Sequence, residues 1–207
     1  MRVLLTPLYP QLEYRLPNFP PDDYGFTTED RLHWGPVGID YLLNDSNISF
    51  LADLKFPNGA SLYTDRELAH MQDVKRVTQG FLRIWVLDLL LLILLGLWAW
   101  RGDWLAAYRL GLRLGGWLML GLGAAAGLIA TFGSLGSGDL FWDFFSGFHG
   151  LFFSGDTWLF LYSDTLIRLY PLRFWEDTIL YISLIAALGA LGLALGLRPR
   201  AAQNHDV

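Results

Sequence analysis

Three runs of about twenty residues with almost no charge constrain this chain more than any other feature. Phe81 to Trp100 carries only Arg83 and Asp88. Leu112 to Phe132 carries only Arg113, and Thr178 to Leu197 carries no charge. An α-helix rises about 1.5 Å per residue, so each run can cross a hydrocarbon core of about 30 Å. Helices that are apolar on all sides do not suit a soluble chain of 207 residues. The sequence therefore predicts an all-α integral membrane protein. Its spans are placed at about 81–100, 112–133 and 177–197, inside a membrane domain 80–197. Residues 1–79 are different in kind, polar and Pro-punctuated, with 11 acidic and 7 basic side chains. The overall 53% apolar content averages these two regions.

Charge placement gives an orientation. The short loop 101–111 and its borders hold Arg101, Arg109 and Arg113 against Asp103, and the tail 198–207 holds Arg198 and Arg200. The loop 134–176 holds two Arg and five acidic residues. The positive-inside rule puts the first loop and the tail in the cytoplasm. Residues 1–79 and 134–176 are then extracytoplasmic. For 1–79 to lie there, a first transmembrane helix is expected upstream of Met1. The net charge of −5 speaks against a nucleic-acid partner. With no Cys in the chain, thiol catalysis and Cys-ligated metals are excluded.

Local signals place further elements. Five prolines between Pro7 and Pro21 predict an extended wrap. Thr28 to Leu43 reads as a helix broken near Pro36. Ile48 to Phe56 has strand-like composition, and Pro57-Asn58-Gly59 is a turn signal, so a small β-hairpin returning through 60–63 is expected. Thr64 and Glu67 have capping-box spacing and should start a helix that leads toward the first span. Gly111/Gly115, Gly123/Gly127 and Gly192/Gly196 are small-xxx-small pairs suited to close helix approach. In and beside Leu140 to Phe153, Phe141, Phe144, Phe145, Phe148 and Phe152 share one helical arc, with Asp139, Asp143, Ser146 and Gly150 opposite. That pattern predicts an interfacial helix with its aromatic face in lipid and His149 at the border of the two faces.

Few residues can carry chemistry. His70 shares a helical arc with Arg66 and Asp73, a spacing at which a carboxylate can orient an imidazole. Asp88 lies about two turns inside a span, where an ionisable group is paired or functional. No HExxH pattern or Cys/His array is present, so no metal is expected, and no Gly-x-Ser-x-Gly elbow offers a serine nucleophile. His33 beside Trp34 and His205 in the polar tail read as structural or inert. A non-catalytic assembly or scaffold protein, or a small transporter subunit built around Asp88, are the competing classes.

One ordered set of residues goes further. Arg66-Glu67-Leu68-Ala69-His70-Met71-Gln72-Asp73-Val74-Lys75 is followed by Phe148-His149-Gly150-Leu151-Phe152-Phe153. Trp158, then Leu166-Ile167-Arg168-Leu169-Tyr170-Pro171, then Phe174-Trp175 come after. This series resembles the bacterial lipoprotein intramolecular transacylase (Lit-type) integral membrane family, from about Tyr14 to the last span. Relative to that family, a first span is expected upstream of Met1. The resemblance implies acyl migration within a diacylglyceryl lipoprotein, from a glycerol ester to the α-amino group of the N-terminal cysteine. It implies no acyl-CoA, ATP or metal cofactor, and its partners are lipoproteins and membrane lipids. It further implies that His149 and His70 divide the acid and base roles, with His149 the base and the reverse assignment left open. Asp73 or Glu67 would orient His70, and Arg66, Lys75, Phe148, Phe152 and Trp158 would contact substrate.

Overall fold

The computed structural model describes residues 5–135, 139–153, 155 and 157–197. The tail from 198, with His205, lies outside the described residues. Among the described residues eight helices run in chain order: α1 (Leu8–Glu13), α2 (Thr28–Leu43), α3 (Ser49–Ala52), α4 (Asp65–Arg101), α5 (Leu105–Leu135), α6 (Asp139–Phe152), α7 (Thr165–Leu169) and α8 (Leu172–Gly196). Three of them, α4, α5 and α8, are long and apolar enough to cross a membrane.

The Thr64–Glu67 box forms as its spacing predicts. Thr64 Oγ1 accepts from the Glu67 backbone N–H while the Glu67 carboxylate accepts from Thr64 N. From this start α4 continues without interruption for 37 residues, through the polar segment 65–80 and then the apolar run. Beyond Arg101, residues 102–104 suffice to reverse the chain, with Asp103 in the left-handed region at φ 61°. The expected loop 101–111 thus shrinks. No Pro or Gly cluster stops Leu105 to Leu110 from coiling, and α5 begins there.

Three other sequence expectations are corrected. The proline-rich start holds α1 because Pro7 and Pro10 sit at the cap and in the first turn, where the N–H groups have no intrahelical acceptor anyway. The helix over 28–43 is continuous despite Pro36, held at its start by the Thr27–Asp30 capping box. Residues 48–56 form no strand. Asn47 Oδ1 accepts from Ser49 N at 2.9 Å and starts the single turn of α3. Around Gly59, the bonds Phe56 N to Ala60 O and Leu62 N to Leu54 O flank one isolated antiparallel bridge, Lys55–Ser61. Among the described residues no strand is formed.

Within the membrane segment α5 packs along α8. Of the three glycine pairs, only Gly123/Gly127 meets the neighbouring helix, at Ser183. Gly116, outside those pairs, sits against the backbone of Ala190 and Ala194. The apolar part of α4 stands apart from this pair. It touches α5 near the tight turn, where Tyr108 Oη donates to Leu92 O at 2.7 Å and the Tyr108 ring covers Gly96.

Beyond the spans, a tyrosine-rich core joins α1, α2, α7 and the first turns of α4 and α8. It includes Tyr9, Tyr14, Tyr41, Leu51, Leu62, Met71, Leu169, Tyr170 and Phe174. Its hydroxyls are placed by hydrogen bonds. Tyr14 Oη donates to Leu169 O at 2.9 Å, and Tyr170 Oη to Gly35 O at 2.6 Å. Both hydroxyls lie where α2 has no side chain, Tyr14 over Gly35 and Tyr170 over Gly38. A methyl group at either glycine would occupy the tyrosine oxygen's position, and neither ring is free to swing away. Gly35→Ala and Gly38→Ala should each destabilise the protein by about 1–3 kcal/mol. Gly192→Ala, whose added carbon meets nothing, should leave the melting temperature of the purified protein unchanged.

Candidate functional site

Two histidines from distant parts of the chain meet beside the polar segment of α4. His70 comes from its second turn and His149 from the last turn of α6. Their rings lie nearly parallel, tilted by 20°, with centroids 6.1 Å apart. Aromatic side chains wall both. Phe153 and Phe160 stand 4.9 and 5.3 Å from His70. Phe145 and Trp158 stand 4.0 and 5.0 Å from His149.

Helix α6 reaches this place with a different face inward from the one its pattern predicts. Phe141 is fully buried, and Phe145 packs on Trp158 and Trp175, so positions 141, 145, 149 and 153 form the stripe that meets the protein. Trp142, Phe148, Leu151 and Phe152 stay exposed. Periodicity alone finds the apolar arc but cannot say which part of it a neighbouring helix will cover. Phe145, Phe153 and Phe160 are therefore site residues that sequence reasoning missed. For Phe145 and Phe153 the signal was available, since both lie one helical turn from His149.

The two imidazoles have distinct environments. His149 Nδ1 lies 2.8 Å from Phe145 O. A carbonyl only accepts, so Nδ1 carries the proton and the neutral ring keeps a lone pair on Nε2. His70 is buried, and its Nδ1 has no hydrogen-bond partner among the described residues. Burial, and then the neighbouring His149, pull His70 down to about 4. Burial also lowers His149, against the opposing bond to Phe145 O. Both rings are therefore neutral at pH 7 and able to take up or relay a proton.

The remaining expected residues divide into two groups. Phe148, Phe152 and Trp158 are at or beside the histidines. Phe148 lies 5.8 Å from His149, and Phe152 bridges Phe148 and Phe81, at 5.0 and 5.4 Å. The charged residues are committed elsewhere. Asp73 pairs with Arg76 at 2.8 Å rather than with His70. Glu67 is fully buried and accepts from Thr64 N and Oγ1 through one oxygen and from Leu166 N, at 2.7 Å, through the other. Arg66 donates to Leu159 O at 3.0 Å, next to Trp158 and Phe160. Lys75 is buried under α2, donating to Ser46 O and Asn44 Oδ1 over the Tyr41 ring. Asp88 lies apart, on the exposed membrane segment of α4. Among the described residues no three His, Asp or Glu side chains gather as metal ligands do.

Fold and site together define a helical membrane protein with a neutral imidazole pair held beside the first of its three apolar helices. The chain belongs to the lipoprotein intramolecular transacylase Lit family, an acyltransferase family whose model matches residues 2–175. It is also 31% identical over 204 residues to an uncharacterized protein of Aquifex aeolicus (strain VF5), covering 95% of this chain and 85% of that protein. No solved structure matches.

A buried neutral histidine makes folding pH-dependent. With the unfolded value near 6.5 and the folded value of His70 about 4, the unfolded state binds the proton more tightly. The stability contribution is complete above pH 6.5 and is lost as pH falls toward 4. Between those limits the wild-type melting temperature should drop further than that of His70→Gln.

Proposed function

We propose that this protein moves an acyl chain within a diacylglyceryl-modified lipoprotein, from a glycerol ester oxygen to the α-nitrogen of the N-terminal cysteine. The product is an N-acyl lyso-form lipoprotein. The observation that carries this reading is the meeting of His70 and His149, 79 positions apart in sequence, in one aromatic pocket with an unpartnered imidazole nitrogen.

The bond changes define what the site must do. The amine attacks the ester carbonyl, a C–N bond forms, and the C–O bond to glycerol breaks. The α-ammonium has a pKa of about 8, so a proton must leave it before attack. His149 Nε2, with its lone pair fixed by the bond from Nδ1 to Phe145 O, accepts that proton. His70, neutral and without a partner at Nδ1, faces the developing oxyanion or the departing glycerol oxygen. Two protons leave the nitrogen in all, one before attack and one as the amide forms; one is delivered to the glycerol oxygen and the other is released to water, so the site ends as it began. Ester and amine belong to one molecule, and holding them together supplies much of the rate gain.

Several features support this division of labour. Phe81, Phe152 and Phe148 form a continuous aromatic path from the start of the α4 apolar run to His149. An acyl chain can follow that path out of the bilayer. Arg66 and Glu67 act as positioning residues, the first through the segment bearing Trp158 and Phe160, the second through α7. Arg101, Arg109 and Arg113 flank the turn between α4 and α5, and by the positive-inside rule that turn would face the cytoplasm and the histidines the outer side of the cytoplasmic membrane.

Mass spectrometry of a tracer lipoprotein's N-terminal peptide, in a host without other N-acylation, tests the proposal. His149→Ala and His70→Ala should each slow conversion to the lyso-form by about 10²–10⁴-fold. Normal conversion by a membrane-inserted His149→Ala protein would remove that residue from the mechanism. Because burial lowers both imidazoles from the free value of about 6.5, the loss of rate caused by their protonation should set in below that pH.

A further inference from the structure

Glu13 is a carboxyl that its surroundings leave without a donor. It ends α1 and is 2% exposed, and Asp177, in the first turns of α8, is 4% exposed. The Glu13 side chain lies within hydrogen-bond reach of two others, Asp177 and Tyr9. Neither has a hydrogen to give it. The Thr178 hydroxyl donates to Phe174 O at 2.6 Å, so Tyr9 Oη, 2.7 Å from Thr178 Oγ1, spends its one hydrogen on that oxygen. Arg173 turns its Nε to Asp177 Oδ2 at 2.7 Å, and the rest of its side chain is half-exposed. Glu13 Oε1 is closed off from solvent and receives no hydrogen bond.

An ionised Glu13 in this place would be a buried charge with no donor and with a second carboxylate beside it. Such a group costs several kcal/mol. The ionisable neighbours are Arg173, Glu176, Asp177 and Tyr181 on α8, Tyr9 on α1, and Tyr14 just beyond it, with Arg31 of α2 standing past Tyr14. Arg173 is the cation bound to the pair, and it serves Asp177. A single proton resolves the conflict, because a neutral Glu13 has an O–H to donate and Asp177 has an oxygen to receive it. Burial, and then Asp177, hold the Glu13 carboxyl well above its ordinary range. The bond would tie α1 to the turn of α8 that carries Trp175, which packs 6.1 Å from Phe145 in the wall of the histidine pocket.

We propose that Glu13 and Asp177 share one proton and form a pH-sensitive latch between α1 and the start of α8, which is released as the medium turns alkaline. An unfolded Glu13 ionises near about 4.3, whereas the folded one keeps its proton. Unfolding therefore releases a proton, and the latch weakens as pH rises. Glu13→Gln keeps an N–H donor for Asp177 and has nothing to ionise. Between about pH 6.5 and 9, above the histidine range and below the ordinary tyrosine value, the wild-type melting temperature should fall relative to that of Glu13→Gln. The underlying unfolding constants should diverge by up to about tenfold per pH unit. The infrared difference spectrum of wild type minus Glu13→Gln should show the C=O stretch of a protonated carboxyl at pH 7, and that band should fade on alkaline titration. Melting profiles that run parallel, a difference spectrum without the acid band, or a Glu13→Gln chain that does not fold would overturn the proposal.

Discussion

The polar half of the molecule is organised around one carboxylate with no exposed surface. Glu67 caps the start of α4 through Thr64 and, with its second oxygen, receives the backbone N–H of Leu166 at the start of α7. Two helix N-termini therefore converge on one negative charge, and each favours it through its dipole and free N–H groups. Burial, with a smaller push from Asp164, raises the Glu67 carboxyl, and the bonds from Thr64 and Leu166 offset only part of that. The joint fixes where α4 begins, and His70 follows three residues later. It also fixes where the segment carrying Trp158 and Phe160 ends. One wall and one imidazole of the pocket thus share an anchor.

The pocket depends on exclusion of water as much as on the histidines. Aromatic rings packed against both histidines lower the local dielectric, which keeps both imidazoles neutral. A charged His70 would lose its hydration without gaining a carboxylate, because Asp73 is held by Arg76 and Glu67 by the helix starts. The charged residues of the Arg66–Lys75 block serve the frame. Arg66 ties the aromatic segment, and Lys75 fastens the 44–46 turn to α4. Their contribution to the site is its shape.

Much of this was legible in the sequence wherever a local rule governs. The three spans follow from length and apolarity. The start of α4 follows from Thr64 and Glu67, and the choice of His70 and His149 as candidates from the motifs around them. What escaped depends on contacts between distant segments. Helical spacing put Asp73 near His70, yet Arg76 is as close in sequence and is the partner chosen. The amphipathic pattern of α6 showed an aromatic arc but not that Phe141 and Phe145 would be covered by protein. Pro36 and the early prolines read as breaks, although a capped helix or a first turn tolerates them. The tyrosine hydroxyls over Gly35 and Gly38 have no sequence signature, since each pair is more than twenty residues apart.

The continuity of α4 has a mechanical consequence. No proline, bulge or bend separates Trp100 from His70, so the imidazole rides on the far end of the same rod that lies in lipid. It stands 11 residues, or about 16 Å, beyond the start of the apolar run. Membrane helices answer a thicker or thinner bilayer by changing tilt. A rotation of 10°, taken as an order-of-magnitude case, would carry His70 sideways by about 3 Å, which is comparable with the 6.1 Å between the two imidazole rings. Bilayer thickness thereby becomes a variable that acts on the histidine pair directly, through leverage.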